Sequence, residues 1–218
     1  MKLIKTEEEL KSLIAADEWM MDILKTVEKL QLPDSWICAG FIRSKMWDCL
    51  HEKEFRTPLA DIDVIYFDKV NLSENYERRY EQELTKYLPD EPWSVKNQAR
   101  MHVVNNSEPY QSSIDGVAHF PEMPTAVGVR LSNGRLEIAA PHGIKHLVAG
   151  IVAPTPYFQR VLQCMKFIRV ESITNSGNQF GRNYRFSTKM KRRSEGICVT
   201  INIKLSLIMK NLSYLWKV

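Results

Sequence analysis

Apolar and polar residues follow a helical period in three stretches of the chain. Thr6 and Glu9 have the spacing of a capping box, which predicts a helix over residues 6–16. Apolar positions three and four residues apart predict a second helix over 17–31, and a charged amphipathic helix is predicted over 73–88. We interpret the apolar stripe of the second helix as core packing.

Shorter apolar runs bounded by turn residues predict the strands. They lie at 36–39, in the stretch that contains Asp61 and Asp63, and at 92–97. Two further runs, 126–131 and 136–140, flank Asn133-Gly134, and this dipeptide predicts a hairpin. Helices are predicted over 41–50 and 144–152. Gly40 lies between the first strand and the helix at 41–50, where its backbone freedom would allow a tight turn.

Asp61 and Asp63 give the chain its clearest chemical signal. Side chains two residues apart on a strand point to the same face, roughly 6–7 Å apart along the chain. Two carboxylates in that arrangement repel each other and raise each other's pKa unless a cation lies between them. Mg²⁺ prefers oxygen ligands and is often held by one or two carboxylates together with substrate phosphates. The pair therefore predicts a magnesium site, against the alternative of an exposed acidic strand end.

The Gly40-Phe41 turn at the head of a helix, followed by Asp61-Ile62-Asp63 on a strand, resembles the nucleotidyltransferase superfamily of polymerase-β type. The chain resembles the head domains of CCA-adding enzymes and a bacterial group of nucleotidyltransferase-like proteins. The strings that carry this resemblance are AGFIRSKMWD, DIDVIYFD, PWSVKNQARMH, TAVGVRL and AAPHGIKHL, within residues 34–172. It implies an α+β fold in which helices flank a mixed or antiparallel sheet.

The resemblance also implies a carboxylate site and its cofactors. Asp61 and Asp63 would bind two Mg²⁺ ions, and a nucleoside triphosphate would be the substrate. Glu137, on the second strand of the predicted hairpin, would be the third carboxylate of the site. The alternative for Glu137 is an exposed strand residue.

Four further residues are candidates for binding the nucleotide. Gly40 and Phe41 would face the phosphates, although the superfamily usually has Gly-Ser or Gly-Gly at this turn. Arg43 and Arg100 would stabilise charge on the leaving pyrophosphate. The alternative for Arg100 is a surface arginine in a loop.

These features predict a metal-dependent nucleotidyltransferase that moves a nucleoside monophosphate from an NTP to an unknown hydroxyl acceptor. The alternative is a non-catalytic nucleotide-binding or regulatory module with the same fold. We do not expect tRNA as a partner, because CCA-adding enzymes bind it with additional helical domains. The cysteines show no CxxC pairing and no apolar run could span a membrane, which favours a reduced, cytoplasmic location and no membrane partner.

Charge and composition change near residue 172. Residues 187–218 carry seven Lys or Arg and one acid, so the net charge of +4 belongs to this end while residues 1–186 have a net charge of −2. We therefore predict a nucleotidyltransferase-like domain over 1–172 and an aberrant, poorly packed tail over 173–218. Residues 174–187 can be back-translated, in another reading frame, to a Lys- and Trp-rich segment like the end of the related bacterial proteins. This leads to the hypothesis of a one-nucleotide insertion or deletion near residues 172–174.

Deleting residues 187–218 should leave the melting temperature unchanged or higher, because a segment that arose by a frameshift was never selected to pack on the domain. Thermal denaturation of the full and shortened chains measures this, and a marked fall would contradict the hypothesis. The gene sequence provides a second check, since codons incompatible with the alternative frame would exclude it.

Overall fold

The computed structural model describes residues 4–162. Within that range the chain forms seven helices and five strands, in the order α1 (Glu7–Ala15), α2 (Glu18–Lys29), β1 (Trp36–Cys38), α3 (Gly40–Leu50), β2 (Ile62–Tyr66), α4 (Glu74–Tyr87), β3 (Trp93–Asn97), α5 (Gln98–Asn105), α6 (Ser113–Ala118), β4 (Gly128–Ser132), β5 (Arg135–Ala139) and α7 (Lys145–Val148). All of them belong to a compact unit that ends at Gln159. The predicted boundary at residue 172 and the predicted tail lie outside the described residues.

The start of α1 and the turn of the β4–β5 hairpin form as the local sequence predicts. The Thr6 hydroxyl accepts a hydrogen bond from the Glu9 amide at 3.2 Å, and the Glu9 carboxylate accepts one from the Thr6 amide, which completes the capping box. The hairpin turns at Asn133 and Gly134, whose φ values of 51° and 73° suit these two residues. These predictions are confirmed.

The five strands form one mixed sheet in the order β3-β2-β1-β4-β5. Only β2 and β3 are parallel among these strands; the other three pairs are antiparallel. This confirms the predicted fold class of helices beside a mixed sheet. One face carries the main core, built from the apolar sides of the strands and of helices α1 to α4 and α7. The opposite face carries a smaller apolar cluster around Trp36, Ile65 and Val117.

The edge strand β3 is capped by two glutamates of α4. Glu77 accepts a hydrogen bond from the Asn97 amide at 2.8 Å, and Glu81 accepts one from the Val95 amide at 2.9 Å. These carboxylates take the place of a neighbouring strand, so the edge does not offer free amides for aggregation. Glu77 is also 1% exposed and binds both the Nε and the Nη2 of Arg100, at 2.7 and 2.5 Å.

Three segments differ from the sequence predictions. The helix predicted over 144–152 spans only Lys145–Val148, because the chain turns at Gly150 with a φ of 65°. Residues around Arg100, for which a loop was the alternative, form helix α5, and helix α6 was not predicted. No helix in the described part of the chain combines the length and apolarity needed to cross a membrane.

Replacing Glu77 by Ala should lower the free energy of unfolding by about 3–5 kcal/mol, because Arg100 would keep a charge without its buried partner. Glu77→Gln should cost less, since its amide oxygen still accepts a hydrogen bond. Glu74→Ala on the same helix is the control, because its exposed pair with Arg78 at 3.5 Å should contribute no more than about 0.5 kcal/mol. Urea denaturation measures all three, and equal losses for Glu77→Ala and Glu74→Ala would contradict the prediction.

Candidate active site

The pairing of β1 with β2 brings the predicted turn to the predicted carboxylates. The two strands are antiparallel and Cys38 lies opposite Asp63. The chain leaves β1 at Cys38 and enters β2 at Ile62, so the turn that follows β1 lies beside the start of β2. Gly40, Asp61 and Asp63 therefore occupy one end of the sheet, although about twenty residues separate the turn from the aspartates along the chain.

The turn differs in detail from the sequence prediction. Its positive φ belongs to Ala39, with φ 56° and ψ −121°, rather than to Gly40, which is the first residue of α3. A non-glycine residue in this region of φ and ψ stores about 1–3 kcal/mol of strain. A Cβ added to Gly40 would meet only Leu59 Cδ2, at 3.9 Å. Gly40 thus leaves space on the surface of the turn instead of supplying its positive φ.

Phe41 contributes only its backbone to this end of the sheet. Its side chain is 1% exposed and packs in the main core, with its ring centroid 5.5 Å from that of Trp19. The first backbone amide of α3, by contrast, belongs to Gly40, where the space for a side chain is open. Helix N-termini favour anions because these amides have no partner within the helix.

Asp63 has an unfavourable environment for its charge. Burial raises its pKa to about 7, and the neighbouring charge of Asp61 adds to the rise. Lys96, a hydrogen bond from the Ser94 hydroxyl and the charge of Arg43 lower it by smaller amounts. Among the described residues no Lys, Arg or His makes an ion pair with Asp61 or Asp63 within 4 Å. A bound cation would relieve both the repulsion and the desolvation.

The donor set fits a hard divalent ion that shares its ligands with a substrate. Asp61 is exposed and directly precedes β2, whereas Asp63 is partly buried on β2, and the charge of Asp61 acts on the Asp63 carboxyl. Within residues 4–162 no group of three or more His, Cys, Asp or Glu side chains is arranged to hold a metal ion. Mg²⁺ commonly takes one or two carboxylates, with waters and phosphate oxygens completing its octahedron.

Two residues of β3 that the sequence reasoning missed lie next to Asp63. Ser94 is directly opposite Asp63 in the parallel ladder, and Lys96 lies two residues further on the same face. Lys96 Nζ is 3.2 Å from the carboxylate of Glu81. The alternation of Ser94 and Lys96 with apolar residues was visible in the sequence, but it does not say which strand lies beside β3.

Arg43 is one turn into α3, where its amide donates to the Ala39 carbonyl at 3.2 Å. Its guanidinium lies 3.5 Å from the carboxylate of Glu122 and its charge lowers the pKa of Asp63. Of the two arginines predicted to bind phosphate, the structure brings Arg43 to the aspartates.

Arg100 has a structural partner. Its Nε and Nη2 both bind the buried carboxylate of Glu77, so the fork that would grip a triphosphate is engaged within the domain. The charge of Glu77 also raises the pKa of Arg100. The alternative of a loop at Arg100 is wrong, since the residue is on α5.

Glu137 shares a face with Asp63 but is distant from it. Successive pairings place Asp63, Cys38, Gly128 and Ala139 in one row across the sheet. With strands about 4.8 Å apart, β5 is about 14 Å from β2. Glu137 lies two residues before Ala139 on β5, on the same face, and binds the Arg130 Nε and Nη2 at 2.7 and 2.6 Å. The structure does not bring Glu137 to the aspartate pair.

Residues 25–171 match the sequence profile of a family described as nucleotidyltransferase. The chain belongs to this nucleotidyltransferase family. A protein whose NMR structure reveals a CCA-adding enzyme head domain is 32% identical to it, with a TM-score of 0.65, and the match covers 79% of this chain and 91% of that one. Both findings support a nucleotidyltransferase of polymerase-β type, as the sequence motifs predicted.

Two longer proteins also match, with lower similarity. The Thermotoga maritima CCA-adding enzyme complexed with tRNA is 12% identical, with a TM-score of 0.45, over 78% of this chain and 40% of that one. A tRNA-processing enzyme in an apo form is 14% identical, with a TM-score of 0.38, over 70% of this chain and 42% of that one. This chain therefore spans about two fifths of the length of either enzyme. A search of curated proteins found no match.

The raised pKa of Asp63 predicts a loss of stability as the pH rises. In the folded chain this carboxyl has a pKa of about 7, whereas in the unfolded chain it should lose its proton near pH 4. Between these values the folded state binds more protons, so the free energy of unfolding should fall as the pH rises. Asp63→Asn cannot lose this proton and should be more stable than wild type at pH 8, by on the order of 4 kcal/mol.

Denaturant titrations from pH 4 to 8 in metal-free buffer test this difference. Asp22→Asn is the control, because Asp22 is exposed on α2 and pairs with Lys25 at 3.3 Å. Parallel stability curves for wild type and Asp63→Asn would contradict the assigned environment of Asp63.

Proposed function

We propose that this chain is a metal-dependent nucleotidyltransferase that moves a nucleoside monophosphate from an NTP to a hydroxyl acceptor. The observation that carries the proposal is the position of Asp61 and Asp63 at the start of β2, beside the open turn at Gly40 and without a paired cation among the described residues. Carboxylates that repel each other next to a helix N-terminus match the needs of a site for Mg²⁺ and a triphosphate.

Each group has a defined role in this proposal. The space above Gly40 admits the phosphates to the backbone amides at the start of α3. Asp61 and Asp63 hold Mg²⁺, which, when bound, orients the triphosphate and neutralises charge at the attacking and leaving oxygens. Ser94, directly opposite Asp63 in the parallel ladder, orients the Asp63 carboxylate.

Arg43 supplies the positive charge near the leaving pyrophosphate. Its position one turn above Ala39 and its effect on the pKa of Asp63 support this role. A fixed cation stabilises negative charge that develops during the reaction without having to reorganise at that moment. Arg100 is not needed for this role, because Glu77 already binds it.

A non-catalytic nucleotide-binding module is the second candidate. The observation that favours it is that Glu137, the predicted third carboxylate, is three strands away and bound to Arg130. A module of this kind would bind Mg²⁺ and nucleotide through the same aspartates but would release no pyrophosphate.

Calorimetric titration with ATP, GTP, CTP and UTP, with and without Mg²⁺, tests binding, and a pyrophosphate assay with hydroxyl acceptors tests turnover. Asp61→Asn and Asp63→Asn should each weaken Mg²⁺-dependent binding or transfer by about 100-fold or more, because each removes a ligand of the ion. Asp22→Asn should behave like wild type. Unchanged Mg²⁺ dependence in both variants would contradict the site, and binding without pyrophosphate release would favour the module.

A further inference from the structure

Glu122 lies at the candidate site without a role in the proposal above. It precedes β4, and its carboxylate is the partner of Arg43, with Oε2 3.5 Å from Nη1. The Glu122 side chain is 15% exposed and that of Arg43 is 31% exposed. Oε2 is buried and accepts no hydrogen bond from the described residues. A half-buried carboxylate in this position requires an explanation, since its burial costs free energy.

The backbone around Glu122 is firmly held. Its carbonyl accepts from the Ala126 amide at 3.1 Å and from the Thr125 hydroxyl at 3.0 Å. On either side, the Met123 amide donates to Ala153 at 2.8 Å and the Thr155 amide donates to Pro121 at 3.1 Å. The carboxylate therefore extends from a braced segment, and it can fix the position of a group that it contacts.

The guanidinium of Arg43 is confined on a second side by Trp47. The ring is 5.3 Å from the Arg43 Cζ, within the range of a cation–π contact, and it is on the next turn of α3. Glu122 contacts Nη1, whereas no described residue forms a hydrogen bond with Nε or Nη2 of Arg43. The Trp47 ring and the carboxylate together hold the planar group while two of its nitrogens keep their donors available.

We propose that Glu122 is a positioning residue that holds the Arg43 guanidinium, with Nε and Nη2 free to bind the polyphosphate of a nucleotide. The inference rests on the proposed function, because it assigns Arg43 to the same phosphate site. The alternative is that Glu122 competes with the phosphates for Arg43. The two roles predict opposite signs, since loss of a competitor strengthens phosphate binding and loss of a positioning residue weakens it.

Inorganic tripolyphosphate without Mg²⁺ is the probe, because it reports on Arg43 independently of the base, the metal and turnover. Arg43→Gln should weaken its binding about 10- to 100-fold, the loss of a charged hydrogen-bond donor. Glu122→Gln should weaken it about three- to tenfold, although the substitution removes a negative charge from the site. The double variant should bind no more weakly than Arg43→Gln, because Glu122 acts only through Arg43.

Glu83→Gln is the control for loss of one negative charge, since Glu83 is on α4 in a pair with Lys86 at 2.8 Å. It should leave tripolyphosphate affinity unchanged. Unchanged or tighter binding by Glu122→Gln would overturn the inference, and so would losses that add in the double variant. Failure of the wild type to bind tripolyphosphate would overturn it too, because Arg43 would then have no phosphate to bind.

The ¹⁵Nε–¹H signal of Arg43 provides a readout that a purely structural role would not change. In the full chain the order parameter of this Nε–H group should be high. Glu122→Gln should lower it, while the backbone amide spectrum remains that of the folded protein. The signal is assigned by its absence from Arg43→Gln. An unchanged order parameter would overturn the inference. If tripolyphosphate binds through Arg43 but the chain releases no pyrophosphate from NTPs, only the proposed function would be contradicted.

Discussion

The antiparallel pairing of β1 with β2 is the constraint on which the candidate site depends. Because Cys38 lies opposite Asp63, the end of one strand and the start of the other meet at the same edge of the sheet. A shift of one residue would turn Asp63 to the other face, where the main core lies. The apolar residues Ile37 and Val64, which are paired in this register and buried, therefore also fix the direction of the aspartates.

This edge of the sheet combines a strained backbone position with unfavourable charge. Ala39 adopts a positive φ, Asp63 is held beside Asp61, and partial burial raises the pKa of Glu122. The buried carboxylate of Glu77, by contrast, accepts hydrogen bonds from Arg100 and from the Asn97 amide. Sites that must bind charged ligands commonly retain such costs, because the ligand relieves them on binding.

The two arginines of the sequence prediction show how tertiary contacts divide similar residues. Both are near the start of a helix, and sequence alone gave each an equal claim to the phosphates. Arg100 is bound at both Nε and Nη2 by Glu77 and stabilises the edge strand β3 against α4. Arg43 meets Glu122 at a longer distance and through Nη1 only. The same type of side chain thus supports the fold in one place, whereas in the other its Nε and Nη2 make no hydrogen bond with the described residues.

Local physics made most elements and the aspartate pair predictable from the sequence. Capping of α1, the Asn133-Gly134 hairpin and the electrostatic effect of Asp61 on Asp63 all depend on residues within a few positions of each other. Sequence did not reveal that Ala39 carries the positive φ, that Ser94 lies beside Asp63, or that Glu137 is three strands away. Strand order, register and the partner of a charged side chain are set by contacts between distant parts of the chain. Only the packed tertiary structure decides them, because many pairings satisfy the same local pattern but few also bury the core.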